Sequence, residues 1–138
     1  MNIYNPCIKT GKLGHRGVTY YICDAEDLCN TIQVALVVCV GANMERHCEY
    51  GFSHLTEHMI ICSVLFSAEK EVSIGITIRA YTNFNETVFF IQRDGNSIYD
   101  LQKCLLVVKH IINGDYLTND SMIRAKTKYA MNLIHQAK

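Results

Sequence analysis

The chain has 138 residues, 49% of them hydrophobic, with one proline and no tryptophan, a composition that suits one compact globular domain and excludes a disordered or repetitive polymer. Lys plus Arg and Asp plus Glu each total 13, so the formal charge is zero, and no basic run offers a nucleic acid or an anionic membrane an electrostatic footprint. The longest apolar run, Val34 to Val40, is far short of the ~20 residues that span a bilayer, and it reads as a buried strand.

The N-terminal stretch lacks a basic region followed by an apolar one, so no secretory signal is read there and a cytoplasmic location is expected. The seven cysteines are odd in number, scattered, and form no Cys-x-x-Cys pair, which argues against a disulfide framework. Cys39, Cys62 and Cys104 lie in apolar runs, where a reduced thiol acts as a compact hydrophobe. Cys48, beside His47 in a polar stretch, is a candidate ligand or reactive thiol.

Residues 1–17 contain Pro6, Gly11, Gly14 and Gly17 among polar residues and read as an irregular lead-in with room for one short edge strand. Val18 to Cys23 is β-branched and aromatic, hence a strand, and Asp24 to Asp27 breaks it. Thr31 to Val40 is continuously apolar after Gln33, the pattern of a central strand covered on both faces, and Gly41 ends it. A polar connection then leads to Gly51-Phe52-Ser53-His54-Leu55-Thr56-Glu57-His58-Met59.

Phe52 to Phe66 reads as a helix capped by Ser53 or a neighbour, with Leu55, Met59, Ile60, Cys62 and Leu65 packing under the sheet. On that helix His54 and His58 stand one turn apart on the same face, where both reach a single ion. Glu57, beside them, is placed to hold a water. His-x-x-Glu-His is the inverted form of the commoner zinc-peptidase motif. After the polar Ser67 to Glu71, Val72 to Thr82 alternates in strand fashion with Ile74, Ile76 and Ile78 on one side, and Thr87 to Ile91 is a second strand; the pair is expected to form an antiparallel hairpin. Ser97 and Asp100 form a capping arrangement for a helix whose Ile98, Leu101, Leu105, Val108 and Ile112 make the core stripe, with Asn113-Gly114 as its stop. His110 on this helix reads as a surface or packing residue. Thr118 to Lys138 reads as a last helix with Met122, Tyr129 and Leu133 along one stripe. Strands alternating with helices, but including a hairpin, imply an α+β fold: a mixed or antiparallel sheet with helices mainly on one face.

With its flanks the motif resembles the insulinase-like (M16, pitrilysin) metallopeptidases. The residues that carry the resemblance are the apolar strand Val34 to Gly41, the acidic Glu45, Gly51 through Met59, then Arg79-Ala80-Tyr81-Thr82 and Thr87-Val88-Phe89-Phe90, which match the family's Asn-Ala-Tyr-Thr and Thr-Val-Tyr-Tyr segments in order. The resemblance covers roughly residues 18 to 138. It implies a zinc ion held by His54 and His58, Glu57 as general base, and hydrolysis of peptides or unfolded segments. It also implies that the strand around Arg79 offers its edge to an extended peptide, with Arg79, in place of the family's Asn, favouring acidic or C-terminal carboxylate groups.

The family's third ligand is a Glu on the last helix of this region, but no Glu follows Glu86 here. Asn132 stands near that position, His135 lies one turn on, and Ala125 replaces a further acidic residue; the third ligand is therefore His135, Asn132 or a residue of a partner. Family enzymes enclose a chamber with several related domains, so the resemblance implies one truncated domain over 1–138 that needs a homomeric or heteromeric partner. The alternative is a non-catalytic scaffold or regulatory subunit that binds a partner peptidase or a peptide.

Overall fold

The computed structural model describes residues 7–14, 17–24, 30–66, 75–120 and Met122. The chain divides into two units, Met1–Asn30 and Thr31–Lys138. In the first, β1 (Cys7–Leu13) and β2 (Val18–Asp24) form an antiparallel hairpin running from the Cys7–Asp24 pair to Leu13–Val18. Most of the described part of the expected irregular lead-in is therefore strand. The hairpin leaves Ile8, Leu13, Val18, Tyr21 and Ile22 exposed.

The second unit contains β3 (Thr31–Val38), a short 3-10 turn at Ala42–Met44, α1 (Phe52–Phe66), β4 (Ile76–Thr82), β5 (Thr87–Asp94) and α2 (Ile98–Asn113). Among the described residues its sheet is antiparallel, in the order β3-β5-β4. Together with the helices this is the expected α+β arrangement. The expected hairpin is β4–β5, with Thr82 opposite Thr87 at the turn and Ile76 opposite Arg93 at the far end.

Alternation puts Ile76 and Ile78 of β4 on one face with Phe89 and Ile91 of β5. That face forms a single core with Ile60 and Val64 of α1 and Cys104, Val107 and Ile111 of α2. Ile91, the middle of the central strand, has no exposed surface, and burying such a side chain contributes ~1.5–3 kcal/mol. Among the described residues β3 is an edge strand, and the central position falls to β5. Its apolar run is not covered on both sides: Ile32, Val34, Leu36 and Val38 pack on the core, whereas Val37, on the opposite face, is 53% exposed. Periodicity could not tell these cases apart, because Ala35 and Val37 are as apolar as their neighbours. Cys39, just past the strand, is likewise exposed and not a core residue, while Cys62 and Cys104 are buried. Burial pushes the Cys104 thiol up.

The rotation of α2 differs from the expected stripe. Ile98, Leu105 and Ile112 are exposed, and the sheet receives Cys104, Val107 and Ile111. An ion pair at the start of the helix matches this rotation: Arg93 Nε donates to Asp100 Oδ1 at 2.6 Å. Asp100, Cys104, Val107 and Ile111 follow one another at helical spacing, so an Asp100 tied to β5 lies in line with the row that faces inward. The capping box is present: Asp100 N–H donates to the Ser97 hydroxyl and Ser97 N–H to the Asp100 carboxylate. Gly114, left-handed at φ 76°, closes the helix. On α1, Val64 rather than Leu65 enters the core, and Leu65 is exposed.

Beyond α2, Ser63 Oγ donates to Tyr116 O at 3.0 Å, and Met122 N–H donates to Thr118 O at 3.0 Å. The remainder of the expected last helix, with Tyr129, Asn132, Leu133 and His135, lies outside the described residues, as does Ile74. No described helix is long and apolar enough to cross a membrane.

Candidate metal centre

The first two turns of α1 bring His54, Glu57 and His58 together. Their potential ligand atoms all lie within 4.8 Å of one another. His54 Nε2 and His58 Nε2 are 3.1 Å apart and the rings are tilted by 41°. Two nitrogens bound tetrahedrally to one zinc at ~2.0–2.1 Å would be separated by about 3.3 Å, so the imidazoles already converge at the spacing of one such ion. The donor set of two imidazoles and a carboxylate is also the chemistry that zinc accepts. Among the described residues this is the only such cluster. Cys48 is exposed and outside it, and His110 pairs instead with Asp115, Nδ1 to Oδ2 at 2.7 Å.

The three side chains differ in exposure, and the difference follows from the helix surface. His54 is exposed and His58 is half-buried. Glu57 points inward and is only 4% exposed. A buried carboxylate needs a donor, and β4 supplies one: Thr82 Oγ1 donates to Glu57 Oε2 at 2.7 Å. Thr82 was not singled out by the motif. The signal that marks it is the alternation Ile76, Ile78, Ala80, Thr82, which places a hydroxyl at the end of a row that otherwise faces the helices. Its cross-strand partner Thr87, buried where Thr82 is half-buried, donates to Val40 O at 2.9 Å, and the two hydroxyl oxygens are 3.3 Å apart.

The turn below these threonines is tightly tied. Asn83 Oδ1 accepts the N–H groups of Asn85 and Glu86 at 2.8 and 2.9 Å, and Asn83 N–H donates to Glu86 O at 2.9 Å. The segment after β3 docks onto this turn, with Ala42 N–H on Asn83 O at 3.0 Å and Asn43 N–H on Phe84 O at 2.9 Å. Gly41 permits that approach, since a Cβ there would lie 2.6 Å from Glu86 N and 2.8 Å from Phe84 C. Tyr81 donates its hydroxyl to Glu86 Oε1 at 3.0 Å, and this hydrogen bond pushes the phenol above its usual range.

At the helix start Glu45 reaches from the preceding loop and accepts Gly51 N–H and Ser53 N–H, each at 2.7 Å. A carboxylate is favoured there because the first helical N–H groups have no intrahelical partner and the helix end carries partial positive charge. These N–H groups, Ser53 first and then Gly51, hold the Glu45 carboxyl below its ordinary value. The loop that docks on the β4–β5 turn therefore also anchors the turn of helix that carries His54. Next to the cluster, a groove of about 530 Å³ runs between α1, β3 and α2, with Val38, Val40, Phe52, Ile60 and Ile111 among its walls and Glu57 on its edge. On the face of the sheet opposite α1 and α2, Arg79 lies in a depression of about 320 Å³ with Gln33, Tyr81, Phe90 and Gln92.

In comparisons with known proteins, residues 24–137 match the sequence profile of the insulinase family, peptidase family M16. The probable zinc protease PqqL of Haemophilus influenzae is 25% identical over 119 residues, a match covering 80% of this chain. The chain spans only 13% of the length of that relative. No solved structure matches significantly.

Proposed function

The chain belongs to the insulinase family, peptidase family M16, and on that premise we propose that it is a zinc-dependent peptidase chain that hydrolyses peptide bonds in peptides or unfolded segments. The observation that carries the reading is the pair of His54 and His58 Nε2 atoms converging at 3.1 Å beside the buried carboxylate of Glu57. His54 and His58 would hold the ion. Zinc, when bound there, supplies a Lewis acid that acidifies a water and polarises the scissile carbonyl.

The remaining chemistry belongs to Glu57. Its Oε2 accepts the Thr82 hydroxyl, which leaves Oε1 to take a proton from the attacking water and to return it to the leaving amine. The low exposure of Glu57 excludes bulk water from competing for that proton. Peptides are the substrate class because the family acts on them, and an extended backbone can add to a free strand edge. A second chain, or further domains, would complete the chamber and contribute the third ligand if neither His135 nor Asn132 does.

The scaffold alternative draws on one specific observation, the absence of any Glu after Glu86. Metal analysis of the purified chain, alone and with whatever co-purifies, coupled to a peptide-cleavage assay, separates the two readings. The peptidase reading expects stoichiometric zinc, and a Glu57→Gln chain that keeps its zinc but loses cleavage by about 100-fold or more. Cleavage unchanged by Glu57→Gln, or no zinc in either state, would overturn it.

A further inference from the structure

We propose that Thr82 decides which role Glu57 takes, holding its carboxylate back from the metal so that it stays a base and does not become a ligand. The inference rests on the reading above, in which His54 and His58 bind the ion. Glu57 is near enough to ligate, since its carboxylate oxygen and the two imidazole nitrogens fall within 4.8 Å. Zinc accepts carboxylate oxygen as readily as imidazole nitrogen, so proximity alone would draw Glu57 into the coordination sphere. An opposing force is needed, and the hydrogen bond from Thr82 Oγ1 at 2.7 Å provides it.

Three features make that bond a restraint. The donor sits on β4 and not on the helix, so it does not move with Glu57. Thr82 is the last pair of the β4–β5 ladder, directly above the turn closed by Asn83, and its backbone is fixed on both sides. The hydroxyl has one proton and two nearby acceptors; a carboxylate at 2.7 Å outcompetes a neutral hydroxyl at 3.3 Å, because charge-assisted hydrogen bonds are about twice as strong. The Thr87 proton is committed to Val40 O, so Thr87 does not compete for the carboxylate. Thr82 is thus a positioning residue, and Glu57 bridges an element that carries the metal ligands and one that carries none.

The test uses the full chain loaded with Co(II), whose visible absorption reports the number and type of ligands, and Zn(II) affinity measured by competition with a chelator. Thr82→Val keeps the shape of the side chain and removes the donor. The expected result is a changed Co(II) spectrum and metal binding about tenfold tighter, while kcat for peptide cleavage falls about 10–100-fold with KM little altered. Thr82→Ser, which keeps the hydroxyl, restores all three. Adding Glu57→Gln to Thr82→Val abolishes the gain in affinity, because the recruited carboxylate is gone. Thr82→Ala carries the same expectations if the valine variant does not fold.

A Thr82→Val or Thr82→Ala chain with the wild-type Co(II) spectrum and Zn(II) affinity overturns the inference, and so does a serine variant that behaves like valine. In both cases zinc content of the wild type and the effect of Glu57→Gln still stand, so the peptidase reading survives. A wild-type chain that binds neither metal overturns both.

Discussion

Replacing Gly41 by Ala tests the junction that supports the candidate site from below. The new Cβ would meet three backbone atoms of the β4–β5 turn: Asn83 O, Glu86 N at 2.6 Å and Phe84 C at 2.8 Å. None of these can be moved by rotating a side chain, so either the turn or the 41–44 segment has to shift. Holding position costs overpacking strain of ~1–3 kcal/mol. Withdrawing gives up the bonds from Ala42 and Asn43 N–H to Asn83 and Phe84 O, each worth ~0.5–1.5 kcal/mol. The two costs are alternatives and do not add, so the expected loss is about 1–3 kcal/mol, read from urea unfolding of the whole chain by circular dichroism. Gly51→Ala is the control for backbone conformation. It has no neighbour within 4 Å but a φ of 86°, so its cost is the ~1–2 kcal/mol of a left-handed conformation alone. A Gly41→Ala chain within about 0.5 kcal/mol of wild type would refute the close-approach argument.

Two further predictions concern the frame around the site. Hydrogen bonding from Ser97, and then from Arg93, holds the Asp100 carboxyl down to about 2 against an ordinary value of 3.8; because the folded value is the lower one, its stabilisation is complete above pH ~4 and is lost as pH falls from there towards 2. Asp100→Asn should therefore flatten that part of the stability-versus-pH curve, and an unchanged acid limb would refute the assignment. Ile91→Ala, at the fully buried centre of β5, should destabilise by ~2–5 kcal/mol; a loss below about 1 kcal/mol in the same urea assay would show that β5 is not the central strand of the core.

The α1 boundaries, the β4–β5 hairpin, the capping box at Ser97 and the stop at Gly114 were legible because each has a local cause. Helical spacing alone aims His54 and His58 at one point, and the two Nε2 atoms meet there. The same locality explains the misreadings. Val34 to Val40 carries the same apolar character whether a strand is central or at an edge, since pairing depends on residues 49 to 57 positions away, from Val38–Thr87 to Val34–Ile91. The stripe of α2 differs because the row that faces the sheet depends on contacts with other elements, among them the Arg93–Asp100 pair.

For the site, the sequence by itself determined the chemical inventory: two imidazoles and a carboxylate at a spacing that only a helix brings onto one side. What the tertiary structure alone decided is the environment that separates Glu57 from its neighbours. Burial, the hydroxyl of Thr82 from a strand 25 residues further along, and the anchoring of the helix start by Glu45 all come from packing. Helical periodicity sets which side chains share a face, but only contact between elements sets which of them is desolvated and what donates to it, and those two conditions govern how a carboxylate behaves.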